Sequence, residues 1–286
     1  MIGQSRKRGI RRVVIGFDPS GNADDVLEMA ASLAAAMRAE MRGLFVEESA
    51  LFDLAGLPFA RAVPRGGRQS YPIDLSGMET ALRRQAQACE RALSSHAMRA
   101  HVAWSFGRSR GRLGEELGAA ITGGDLVVIN ASGPGLEAGR EALALARRAA
   151  ERGMGAAIVA PRRRRVSGQV VVLDDGDEGA LQALDLAARI AVERHEPLVV
   201  MVMAETAEEG GHIEQRARET LPADARPVFR HIVARGVSGA AHMLREMDPS
   251  LVVADLQGAV FGDDETAIRL MGAARAPVLL IRPAGS

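Results

Sequence analysis

RRVVIGFD, residues 11–18, and QVVVLDD, residues 169–175, open two runs of the chain that follow one order. Each is a short, unbroken apolar run of β-branched residues that ends on aspartate. Alternation would mark a strand with one wet face; its absence marks a strand buried on both faces, as in a parallel sheet covered by helices. After residues 13–17 comes a helical stripe of Val26, Leu27, Ala30, Leu33, Ala34 and Met37. Strands follow at 41–47, 100–106, 125–130 and 155–161. Helices fall between them around Leu75–Leu93, 111–122 and 139–152. The second run repeats this with strands at 169–175, 197–205, 227–234, 250–256 and 276–283. Its helices lie near 178–194, 206–220, 238–247 and 264–275.

The fold class expected is therefore α/β: two tandem doubly wound domains, each a five-stranded parallel sheet with helices on both faces. Residues 13–17 and 170–174 should take equivalent central places in two separate sheets. The organisation reads as a flexible tail over 1–10, a first domain over 11–161, a linker over 162–168 and a second domain over 169–284. The linker carries Arg162-Arg163-Arg164-Arg165, a solvated connector or a phosphate-binding patch.

Composition narrows the function classes. The 286 residues carry 36 basic and 36 acidic side chains, which argues against a general polyanion-binding surface. Aromatics make up only 3%, so the cores must be built from Ala, Val, Leu, Ile and Met. The single cysteine, Cys89, excludes an internal disulfide and fits a reducing, cytoplasmic setting. The basic N-terminus lacks the apolar core of a signal peptide, and no run is long enough to span a membrane. The six histidines show no metal-ligand spacing.

The first strand ending in Asp18, the capped helix after it, and the Pro-bounded closing strand together resemble the universal stress protein family. The second half shows the same outline, with Asp174 at the matching strand end. The resemblance covers about 10–161 and 168–283. It implies a protein that acts in stress response or regulation without catalysis. A tandem chain would be a monomer that mimics the family's dimer, or would form a homodimer. ATP-binding members carry Gly-x2-Gly-x9-Gly-Ser/Thr after strand four. There the early glycines let amides approach phosphates, and the later pair opens a helical turn. The closest stretch here is Ala259-x2-Gly262-x9-Gly272-Ala273, which lacks the first glycine and the hydroxyl. By resemblance, then, Gly262 and Gly272 would flank the phosphates of ATP or AMP, with Asp174 at the base. Asp18 is the corresponding carboxylate of the first half. Against this stand Asp255, Asp263 and Asp264, which crowd the same loop and repel phosphate. The alternative is an interaction module that has lost its nucleotide. For Asp18 and Asp174 the other reading is a residue that ends a strand or helps cap the next helix.

Three further signals remain. Gly133-Pro-Gly135-Leu-Glu-Ala138 fits a dinucleotide fingerprint, NADP being the cofactor if Arg162 faced a 2′-phosphate. Pro134 removes one donor from that turn. Gly107-Arg-Ser109-Arg-Gly111 matches a hydrolase nucleophile elbow if it lies between strand and helix. Lastly, the insertion at 49–74 has no counterpart in the second half. Its Leu51, Phe52, Leu54, Leu57 and Phe59 suggest a short packed helix or a surface for a protein partner.

Overall fold

The computed structural model describes residues 10–17, 24–57, 59–62, 70–130, 136–153, 155–159, 168–233, 237–258 and 260–282. The first half runs β1 (Arg12–Phe17), α1 (Asp24–Met37), β2 (Glu40–Glu48), α2 (Ser49–Ala55), β3 (Arg61–Ala62), β4 (Tyr71–Pro72), α3 (Leu75–Arg99), β5 (Trp104–Gly111), α4 (Leu113–Ala120), β6 (Asp125–Asn130), α5 (Leu136–Arg152) and β7 (Gly155–Val159). The second half runs β8 (Val170–Asp174), α6 (Glu178–Arg194), β9 (Leu198–Ala204), α7 (Ala207–Thr220), β10 (Val228–Val233), α8 (Val237–Met247), β11 (Leu251–Asp255), α9 (Asp264–Ala274) and β12 (Val278–Ile281).

Strand order across the main sheet is β10-β9-β8-β11-β12-β7-β6-β1-β2-β5. In each half the first strand lies at the centre, flanked by its second and fourth. Within each half the pairing is parallel. The expectation of two separate sheets fails at one place: β7 and β12, the last strands of the halves, pair antiparallel and join them into one ten-stranded sheet. Gly155 permits the close approach. Its φ is +152°, and a Cβ there would stand 2.3 Å from Leu280 O.

Joining the strands also joins the cores. On one face Val13, Leu27 and Leu33 share a buried cluster with Val170, Leu184 and Ile190. On the other, Val127 and Leu143 share one with Val171, Leu244 and Leu270. Arg189 of α6 reaches across to the carbonyl of Ala36 at 3.1 Å. Strands β8 and β9 are buried at every position, which is why both read as apolar but for Asp174 at the end of β8.

The third strand departs from expectation. It occupies Trp104–Gly111, not 100–106, because α3 continues to Arg99. This is a sheet edge, and its residues are all half-buried or exposed, alternating only from Gly107 onward, so it lacks the apolar run that reveals a central strand. The tail over 1–9 and the linker arginines lie outside the described residues.

Candidate functional site

In a doubly wound sheet the crevice opens at the carboxyl ends of the strands, where the strand order reverses. In the second half that place lies between β8 and β11. Asp174, Asp175 and Asp255 end these strands, and all three are buried.

Register shows which of them matches the first half. Val13 pairs with Leu126 as Val170 pairs with Leu251, and Val13 and Val170 face the same core cluster. Counting along each strand makes Phe17 the equivalent of Asp174, so Asp175 is the sequence match of Asp18. Asp18 itself lies outside the described residues. Pairing the two strand ends by their apolar runs thus placed Asp174 one residue out.

Asp174 accordingly points toward the α6 and α7 side, with its side chain fully buried. Its Oδ1 accepts the Gly176 amide at 3.0 Å. Arg216 Nη2 of α7 stands 3.8 Å from the same oxygen, too far for a hydrogen bond. Among the described residues, Asp174 Oδ2 and Arg216 Nε and Nη2 have no hydrogen-bond partner. Burial pushes the Asp174 carboxyl up to about 6; the Gly176 amide and Arg216 oppose this, while Asp175 and Asp177 add to it. Asp255 is pushed upward too, first by burial and then by the charges of Asp175 and Asp177, while its bond from the Gln257 amide pulls the other way. Asp175 lies against the loop that follows β11: a Cβ on Gly258 would meet its Oδ2 at 2.7 Å.

That loop is closed upon itself. The amides of Phe261 and Gly262 both donate to Gly258 O, at 3.1 and 2.9 Å. Asp263 caps α9, its Oδ2 accepting the Thr266 amide at 2.8 Å, and this bonding lowers the pKa of its carboxyl. A carboxylate of the chain thus sits where a helix N-terminus would receive a phosphate. Arg147, reaching from α5 in the first half, donates to Phe261 O at 2.7 Å and to Asp264 Oδ1 at 2.9 Å.

Gly262 and Gly272 are not brought together. Gly262 precedes α9, whereas Gly272 lies near its far end, about 12 Å along the axis at the usual rise per residue. Gly272 has open space around it and does not open a helical turn. The family phosphate spacing is therefore present in sequence but not in space.

The other candidates resolve similarly. Ser109 lies inside β5, not on a turn between strand and helix, so the elbow geometry is absent. The Gly133 loop falls within residues 131–135, outside the described residues. Among the described residues, no group of three or more His, Cys, Asp or Glu could hold a metal ion. No helix among them is long and apolar enough to cross a membrane. Sequence reasoning missed Arg147 and Arg216, since nothing local distinguishes either from an ordinary helix-surface arginine. Asp175 was legible from the alternation of strand faces.

No protein-family model matches the sequence, and comparison with curated proteins yields no match. Solved structures do match. A universal stress protein from Archaeoglobus fulgidus DSM 4304 aligns over 97% of this chain and 98% of its own, with 14% identity and a TM-score of 0.64. A protein of unknown function from Pseudomonas aeruginosa PAO1 aligns over 96% and 94%, with 14% identity and a TM-score of 0.54. The cytoplasmic domain of a prokaryotic cation chloride cotransporter aligns over 94% of each chain, with 11% identity and a TM-score of 0.52. At such identities the likeness is one of architecture: this chain has a universal-stress-protein-like fold.

Proposed function

We propose that the chain is a non-catalytic regulatory protein on a tandem universal-stress-protein plan. It works in the cytoplasm through protein contacts, and its second half does not take ATP or AMP in the family manner. One observation carries this reading: the loop after β11 spends its amides on Gly258 O, and Asp263 occupies the start of α9. A nucleoside phosphate entering there would have to displace a carboxylate of the chain and approach Asp175, Asp255 and Asp264. Ligand-free regulation fits the joined sheet, in which one half already plays the part of a dimer partner for the other.

Photo-affinity labelling with an azido-ATP probe, followed by peptide mapping, tests the reading. The expected result is no label within 174–177 or 255–266. Label in either stretch that unlabelled ATP or AMP displaces would overturn it.

A further inference from the structure

Exposed hydrophobic side chains of the first half concentrate in one stretch of its sequence. Leu51, Leu54, Leu57, Phe59, Tyr71 and Leu75 are exposed by 39 to 76%, and they fall within the insertion or at its border. Helix α2 has no buried residue at all. A helix that packs mainly through Phe52 and shows Leu51 and Leu54 to water has an unused apolar face. It rests on the end of β5 through Phe52, whose ring lies 3.7 Å from the Arg110 guanidinium.

β5 itself ends the sheet. Arg108 and Arg110 alternate along it, and Arg112 continues the same extended backbone, so the three share a face. Their side chains are 43, 50 and 75% exposed. Glu47, only 11% exposed, holds Arg108 and Arg110 from the β2 side, while the exposed Glu79 and Glu115 stand looser, each 3.8 Å from Arg110 and Arg112 respectively, so an incoming carboxylate competes with these two.

These two features select an occupant. A second copy docking β5 against β5 would set arginine opposite arginine, which destabilises a strand pair. An anionic lipid surface would meet Asp53, an exposed acid on α2 itself. An extended segment with alternating carboxylates avoids the first fault and, unlike a uniformly anionic sheet of headgroups, can set an apolar side chain beside Asp53. We propose that the outer edge of β5, last in the sheet among the described residues, and the exposed leucines of α2 form one docking surface for an extended acidic segment of a partner protein. The segment adds a strand to β5, sets carboxylates against Arg108, Arg110 and Arg112, and lays apolar side chains on Leu51 and Leu54. Main-chain pairing supplies affinity, and alternate side chains supply specificity.

Fluorescence polarisation with the full chain tests this. The probes are a labelled ten-residue peptide of alternating Glu and Val, its Lys-Val counterpart, and the Glu-Val peptide N-methylated at alternate amides. The Glu-Val peptide should bind, and the other two should bind at least about ten-fold more weakly. Arg112→Glu and Leu54→Ser should each weaken the Glu-Val peptide about five-fold or more, with Arg112→Gln weakening it less than Arg112→Glu. Far-ultraviolet circular dichroism should show the fold unchanged in all three variants. Equal binding of the Lys-Val or N-methylated peptide would overturn the proposal. So would indifference to Arg112→Glu, or a preference for phosphatidylserine vesicles over the Glu-Val peptide.

Discussion

Phe17 and Asp174 close the central strands of the two halves in the same register and face the same side of the sheet. One is a phenylalanine in the core, the other a carboxylate with no exposure. The repeat therefore specifies strand order and facing direction, while leaving the chemistry of the strand end free to diverge. In the second half that freedom has produced a carboxylate held up by burial and offset only in part by the Gly176 amide and a distant Arg216. The same half has shut the loop after β11. The first half has diverged at its edge instead, by inserting α2 and the β3–β4 hairpin between its second strand and α3.

The largest effect is expected where the halves meet. Gly155→Val puts a side chain where a Cβ would stand 2.3 Å from Leu280 O, and at a φ that β-branched residues avoid. Its cost should be on the order of 3 kcal/mol. Urea unfolding should then shift to lower concentration, with the halves separating into two transitions. An unshifted single transition would show that the seam does not couple them.

Next in size is the contrast between Phe17 and Asp174. The folded Asp174 carboxyl titrates near 6 against an ordinary 3.8, so the folded state holds its proton more tightly than the unfolded one. Stability due to this group is thus greatest below pH 4, declines as pH rises through 6, and is level above that. Asp174→Asn should match the parent at pH 4 and exceed it by roughly 2–3 kcal/mol at pH 7.5. Melting temperatures across that range check it; a constant difference would mean that burial does not govern the group. A smaller effect belongs to Asp263→Ala, which removes a helix cap and should cost about 1 kcal/mol in chemical denaturation. Smallest is Ser109→Ala. Any ester hydrolysis by the parent should persist unchanged, and a loss would restore the nucleophile that the strand position of Ser109 denies.

Much of the fold was legible because central strands of a covered parallel sheet cannot hide: residues 13–17 and 170–173 are unbroken apolar runs for want of a wet face. β5 was placed only in part, at 100–106 instead of Trp104–Gly111, for the opposite reason, since at the sheet edge it carries arginines every second residue. The seam ran against the expected pair of separate sheets, since antiparallel pairing of β7 with β12 leaves no mark beyond one glycine. For the site, spacing misled. Ten positions separate Gly262 from Gly272, but helix α9 starts between them and carries them apart. The start was readable in Asp263 followed by Asp264 and Glu265, an acidic first turn behind a capping residue. The Arg147 bond to Asp264 joins residues 117 apart and has no local signature.

Whether the loop after β11 is closed can be read directly from the backbone amides of Phe261, Gly262 and Thr266 in nitrogen-15 spectra during titration with ATP. If Gly258 O and Asp263 hold those amides as described, the three resonances stay in place up to millimolar nucleotide. Saturable shifts of Gly262 and Thr266 together would contradict the account, because they require the loop to release both bonds and take up the phosphates.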